Sequence, residues 1–196
     1  MDPFTTHTGR GLPLDRADVD TDQIVPAVHL KRVERTGFGP FLFAEWRKDP
    51  NFVLNRPEHQ GATILLAGAN FGGGSSREHA VWALEDAGFR VVIAPSFADI
   101  FRNNCSKIGL LPVELPVESV RALMAAVQGD PATEITVDLD AMRVSAPSVD
   151  EVFDMDPYTR RRLLEGLDDI GLTLAHEAEI EAYEGTRPAR LPSLSA

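Results

Sequence analysis

Three consecutive glycines, Gly72, Gly73 and Gly74, stand between an apolar run, Thr63-Ile64-Leu65-Leu66-Ala67, and a segment with apolar residues at Val81, Leu84 and Ala87. The run is too short for a helix and the later spacing is helical, so the order is strand, glycine loop, helix. Without a Cβ to forbid positive φ, the glycines let the backbone turn sharply and approach a ligand closely. The loop continues Ser75-Ser76-Arg77-Glu78-His79-Ala80. With the helix beginning near Ser75, unbonded N–H groups, the positive dipole end and the Arg77 guanidinium converge with two hydroxyls, a setting that suits an anion. Ser75 and Glu78 also spell a capping box, and donors that cap a helix can stabilise an oxyanion, so both readings stand. A P-loop would need a lysine after the glycines, and a nucleophile elbow a glycine where Arg77 stands; neither is present.

The alternation of strand and helix continues downstream. Residues 90–94 form a second buried-type strand ended by Pro95, residues 96–105 a helix capped by Ser96 and stopped by Gly109, and residues 110–115 a further strand. The helix that starts near Ser75 should end before Gly88. An amphipathic helix over residues 117–127 leads to the turn Gly129-Asp130-Pro131. Ile135, Val137 and Leu139, then Met142, Val144 and Ala146, alternate with polar residues, which predicts a hairpin with one buried face. Upstream, Gly9, Gly11 and Pro13 predict a short strand and hairpin within residues 4–14, and the polar stretch 46–61 reads as a connection with a short helical piece. Asp156-Pro157 opens a helix whose Arg160, Arg161 and Arg162 read by default as a solvated face and alternatively as a partner contact, and a last helix is expected over residues 173–184. His7 is expected at the surface and His59 in an ordinary loop, while His79, one turn from Ser75, reads either as a partner behind the site or as a structural histidine with satisfied nitrogens. Strands interleaved with helices between terminal hairpins imply one α/β domain with a mixed sheet over residues 1–185, followed by a disordered tail at 186–196.

Charge narrows the function classes. A net charge of −11 repels phosphate backbones and anionic lipid, so neither nucleic acid nor a membrane surface is expected as a partner. A small anion remains compatible, because a local cation governs binding within a screening length. Cys105 is the one cysteine of the chain, read as a reduced core or helix-end thiol. The N-terminus has neither a basic stretch nor an apolar one of signal type, and a cytoplasmic protein is expected.

Gly74-Ser75-Ser76-Arg77-Glu78-His79-Ala80 resembles the signature of the aconitase superfamily's swivelling domain. The chain is also similar to the small-subunit family of bacterial 3-isopropylmalate dehydratase. That likeness rests on Asp20-Thr21-Asp22-Gln23-Ile24, on Phe97-Ala98-Asp99-Ile100-Phe101 with Asn103-Asn104-Cys105 and Gly109-Leu110-Leu111-Pro112, and on the run from Gly166 to Leu174. The resemblance implies a three-layer β/β/α swivelling domain with C-terminal helices. It also implies interconversion of 2-isopropylmalate and 3-isopropylmalate by dehydration and rehydration in leucine biosynthesis. On the same basis Ser75 is the expected base, Arg77 the carboxylate clamp, and Thr21 and Asp22 the residues that orient the loop and its arginine. Ser76 and Gly74 are expected as further substrate contacts.

In this family residues 27–43 would accept a branched alkyl group, with Val28 and Leu30 as alkyl contacts and Lys31, Arg32 and Arg35 steering carboxylates. Read from the residues alone, the same stretch is a solvated basic face over a small apolar cluster, and both readings stay open. The resemblance further implies a 4Fe–4S cluster with an open iron position, none of it bound by this chain. The cluster would lie in a large subunit that completes the active site as a heterodimer or heterotetramer, with a small dicarboxylate as substrate. Gly73 departs from many relatives at a position expected to contribute backbone only. Two rivals remain: another hydro-lyase of the superfamily, such as homoaconitase or citraconate hydratase, and a non-catalytic anion-binding regulator.

Overall fold

A computed structural model describes residues 1–31, 34–147 and 149–187. Among them the strands are β1 (Thr6–Leu14), β2 (Ile64–Ala67), β3 (Val91–Ala94), β4 (Leu111–Glu114), β5 (Glu134–Asp138), β6 (Arg143–Ala146) and β7 (Val149–Val152). The helices are α1 (Thr21–Ile24), α2 (His79–Asp86), α3 (Asp99–Ile108), α4 (Val117–Gly129), α5 (Pro157–Glu165), α6 (Asp169–Leu174) and α7 (Glu177–Thr186). Short 3-10 turns occupy much of the stretch between α1 and β2. Most of the expected tail, residues 188–196, lies outside the described residues. No described helix is long and apolar enough to cross a membrane.

The strands form one mixed sheet in the order β4-β3-β2-β1-β5-β6-β7. β1 stands at its centre, with residues 11–14 parallel to β2 and residues 6–10 antiparallel to β5. Side-chain alternation along β2 and β3 then sorts two cores. Leu65, Ala67, Val92 and Ala94 face one that also holds residues of α2, α3 and the stretch 38–54. Ile64, Leu66, Val91 and Ile93 face the other, shared with α4 and with Ile135, Val137 and Val144 of the antiparallel half. The sheet therefore curls so that one β layer covers another, with α2 and α3 outside the parallel half, the mixed α/β architecture expected from the sequence.

Several local expectations differ. No hairpin forms within residues 4–14; β1 runs straight through Gly9, Gly11 and Pro13. Those glycines admit neighbours instead of turning the chain: a Cβ on Gly9 would fall 2.0 Å from Thr63 Oγ1, and one on Gly11 2.9 Å from Val127 Cγ2. The hairpin β5–β6 gains a third strand, β7, whose Asp150 and Glu151 are typical of an edge that must not pair further. The last helix is two, α6 and α7, separated at Ala175 and His176. Arg162 is not part of a solvated face; it is 6% exposed, bonded to Asp169 Oδ1 at 2.8 Å and to the Leu167 carbonyl. Cys105 is fully buried, and burial pushes its thiol well up in pKa, as suits a core residue.

Two histidines also depart from expectation. His7 is partly buried and bonds Thr63 Oγ1 at 2.7 Å. His59 is 7% exposed, and its buried Nδ1 has no hydrogen-bond partner among the described residues. Burial holds its pKa below the ordinary 6.5, opposed by Glu58 and helped by Arg56 and Arg10. Its unfolded form takes a proton more readily than its folded form, so the stability it contributes is present above about pH 6.5 and lost as pH falls through the folded value. The urea midpoint of the wild-type chain should accordingly fall more steeply between about pH 7 and about pH 5 than that of His59→Phe; parallel pH profiles would remove His59 as the cause.

Candidate active site

The site is assembled where the segment before α1 meets the glycine loop. The Val19 carbonyl accepts the N–H groups of Gly72 at 2.7 Å and Gly73 at 3.2 Å, and the Thr21 N–H donates to the Gly73 carbonyl at 2.9 Å. Gly72 and Gly74 adopt φ of +82° and +88°, the left-handed region where a side chain is strained. At Gly72 a Cβ would also fall 2.2 Å from the Phe101 ring, whereas at Gly73 nothing lies within 4 Å. A side chain would therefore be tolerated at position 73, whose N–H and carbonyl are bonded to Val19 and Thr21. On the other side, Phe71 is fully buried against Phe97 and Phe101, its N–H bonded to the Ser96 carbonyl and its carbonyl to the Ala98 N–H.

Beyond the glycines, the Ser75 N–H donates to Thr21 Oγ1 at 3.2 Å, and the Ser75 carbonyl accepts the Arg77 N–H at 2.8 Å. These bonds hold residues 75–77 in a turn, and α2 begins only at His79, with Glu78 as a cap that makes no side-chain bond. The capping box expected at Ser75 and Glu78 is therefore absent. One is found instead at Asp20 and Gln23, where the Asp20 carboxylate accepts the Gln23 N–H at 2.7 Å and Gln23 Oε1 accepts the Asp20 N–H. The late start of α2 has an electrostatic consequence: its dipole end sits several residues past Ser75, and the nearest positive charge in sequence is Arg77. The half-buried Arg77 donates through Nη1 to Asp22 Oδ1, which leaves the rest of the guanidinium fork for another acceptor. Ser75 and Ser76 are both exposed.

Thr21, Asp22, Gly74, Ser75 and Arg77 are thus brought together at one rim, with Ser76 beside them. The candidates in residues 27–43 are placed differently. Val28 is 72% exposed on a 3-10 turn directly after α1, and Leu30 is half-buried against the core beneath. Lys31 is exposed, Arg35 carries its guanidinium 5.8 Å from the Trp82 ring, and Arg32 lies outside the described residues.

Sequence reasoning did not assign site roles to Asn104 and Ser96. Buried Asn104 donates to the Ser76 carbonyl at 3.3 Å, and Ser96 does not cap α3 but accepts the Asn70 N–H at 2.9 Å. An asparagine on the buried face of an amphipathic helix was the available signal. His79, expected to be satisfied, has a buried Nδ1 without a partner among the described residues. Burial lowers its pKa, offset by Glu78 and reinforced by Arg77.

The donor chemistry of this chain does not suit an iron–sulfur cluster. Its one thiol is sealed in the core, and the described residues contain no group of three or more His, Cys, Asp or Glu placed to hold a metal. What the rim can do by itself is bind and orient a carboxylate and present a serine hydroxyl to it.

The chain is similar to known proteins over its whole length. A model of the aconitase C-terminal domain matches residues 1–118, and the model LeuD_N matches residues 121–157. Residues 169–195 match a model of the C-terminal domain of the 3-isopropylmalate dehydratase small subunit. The 3-isopropylmalate dehydratase small subunit of Acidothermus cellulolyticus is 64% identical over 196 residues, covering 100% of both chains. That of Rubrobacter xylanophilus is 62% identical over 192 residues, covering 98% of each. A crystal structure of 3-isopropylmalate dehydratase from Methanocaldococcus jannaschii superposes with a TM-score of 0.69 at 26% identity, covering 90% of this chain and 98% of that one.

Two substitutions probe the loop. Gly72→Ala should lower unfolding free energy by about 2–4 kcal/mol through strain and overlap with Phe101, while Gly73→Ala should change it by less than about 1 kcal/mol, as read by urea denaturation. Thr21→Val, which keeps the buried shape but removes the acceptor, should speed amide hydrogen exchange at Ser75; unaltered exchange there would mean that Thr21 does not hold the loop.

Proposed function

The chain belongs to the 3-isopropylmalate dehydratase small-subunit family of the aconitase superfamily, and from that premise we propose that Ser75 and Arg77 form this subunit's half of the active site. The observation that carries the proposal is the exposed Ser75 two residues from an arginine that Asp22 orients, on a loop tied down by Thr21.

In the reaction a carbon-bound proton beside a carboxylate is removed, hydroxide departs, and isopropylmaleate and water result; rehydration with the opposite regiochemistry completes the isomerisation. Ser75 Oγ takes the proton as an alkoxide. Free serine is a very weak acid, so this role needs a neighbouring positive charge in a site closed to water. Arg77 supplies that charge and clamps a substrate carboxylate through the donors that Asp22 leaves free. Thr21 and Asp22 act on substrate only through the loop and the arginine. Ser76 and Gly74 offer a hydroxyl and a backbone contact beside the carboxylate. Val28 and Leu30 stand as the contacts for the isopropyl group, and Lys31 and Arg35 as long-range attraction for the dianion.

The small-subunit names of the relatives support a large-subunit partner that would close this rim; a 4Fe–4S cluster, for which this chain offers no ligands, would belong to that partner and would supply Lewis-acid chemistry. One sealed thiol and the absence of a membrane-length helix among the described residues are compatible with work in the cytoplasm.

The test is made on the assembled holoenzyme. Ser75→Ala should abolish turnover of 3-isopropylmalate while the two subunits still co-elute, and Arg77→Lys should chiefly raise KM, since a lysine lacks the fork. Undiminished turnover by Ser75→Ala would refute its assignment as the base. Tight binding of the dicarboxylate by this chain alone, without turnover in the complex, would favour an anion-binding regulator.

A further inference from the structure

His79 opens α2 two residues past Arg77, and its ring belongs to an aromatic cluster. The imidazole centroid lies 4.6 Å from that of Trp82 and 5.2 Å from that of Phe38, edge-on at 72° to the latter. Phe38, fully buried, meets Phe41 edge-on at 6.4 Å, and Phe41 stacks on His29 at 4.1 Å with their planes 12° apart. His29 directly follows Val28 in the same 3-10 turn. The rings of His29, Phe41, Phe38 and His79 thus run without a break from beside the exposed Val28 to beside Arg77.

The inner end of this path is fixed to α2. The Phe38 N–H donates to Asp86 Oδ2 at 2.6 Å, and Gly39 lies so close to the end of α2 that a Cβ there would fall 2.9 Å from the Asp86 carbonyl oxygen. Rings packed edge to face have defined geometry and few rotatable bonds, and a close-packed interior transmits displacement instead of absorbing it. A shift of His79 therefore moves Phe38 and Phe41, and with them the turn that carries Val28. Nδ1 of His79 is sealed from solvent, which argues against that nitrogen reaching substrate.

We propose that His79 is a positioning residue for substrate selectivity: acting through Phe38 and Phe41, it sets where Val28 stands relative to Ser75 and Arg77, so that discrimination among alkyl groups depends on a ring that does not itself contact the alkyl group. This rests on the functional reading above, in which Val28 contacts the alkyl group and Ser75 and Arg77 handle the carboxylate end.

The experiment compares hydration of isopropylmaleate and of methylmaleate, which differ only in the alkyl group, by the assembled holoenzyme carrying wild-type, His79→Ala, His79→Phe or Phe41→Leu subunits. His79→Ala should lower kcat/KM for isopropylmaleate about tenfold, chiefly through KM, with a much smaller loss on methylmaleate, because a small displacement of a positioning contact suffices for an effect of that size. His79→Phe, which keeps a ring in place, should restore the selectivity ratio to within about twofold of wild type. Phe41→Leu, which breaks the path away from the serine loop at a half-buried position, should shift the ratio in the same direction as His79→Ala. Equal losses on both substrates in His79→Ala, an unchanged ratio in Phe41→Leu, or failure of His79→Phe to restore it would each overturn the inference. A wild-type complex inactive on both substrates would instead overturn the functional reading beneath it.

Discussion

The backbone ladder between residues 19–21 and the glycines at 72–74 is the contact on which the site depends. One carbonyl, that of Val19, takes two N–H groups, and the Thr21 N–H returns a bond to Gly73. Chains approach this closely only where side chains are missing and positive φ is tolerated, which is why Gly72 and Gly74 stand there. Once the ladder is in place, Thr21 Oγ1 lies where the Ser75 N–H can reach it, and Asp22 lies where the Arg77 guanidinium can reach it. Two segments far apart in sequence thereby become a single rim that exposes a serine beside a cation.

The rest of the fold gives that rim a rigid base. The parallel strands β2 and β3 are buried on both faces, by α2 and α3 on one side and by α4 with the antiparallel strands on the other. The loop joins β2 to α2, and Phe71, Phe97 and Phe101 lock it to the connection leading into α3. A net charge of −11 does not exclude a small anion at this rim, because charges more than a screening length from Arg77 act there only weakly. The serines stand exposed on that rim, and the chain's one thiol is sealed in the core away from it.

Much of this was legible in the residues. The apolar runs at 64–67, 91–94 and 111–114 and the alternating pair near 135–146 gave the mixed sheet, because burial on two faces or on one leaves distinct periodicities. Thr21, Asp22, Ser75 and Arg77 were singled out by motif, and the fold brings them together. What misled were residues with two physical uses. Gly9, Gly11 and Pro13 read as turn formers, yet the glycines serve close packing inside a straight strand; Ser75 and Ser96 read as helix caps, yet the Ser75 N–H is held by Thr21 and the Ser96 hydroxyl holds Asn70. Arg162 read as solvated because its burial depends on Asp169, which reaches it only once α6 folds back.

By itself, then, the sequence determined the buried parallel strands and the helices between them, which family the chain resembles and which side chains are chemically able to act, because those properties are encoded locally in periodicity and motif. Tertiary structure alone decided that β1 lies at the centre of the sheet, that α2 starts at His79 and leaves Ser75 in a turn, and that a file of rings joins Val28's turn to the serine loop. Each of these is a contact between residues far apart along the chain, and no local pattern specifies the partner that a backbone N–H or an aromatic ring will meet.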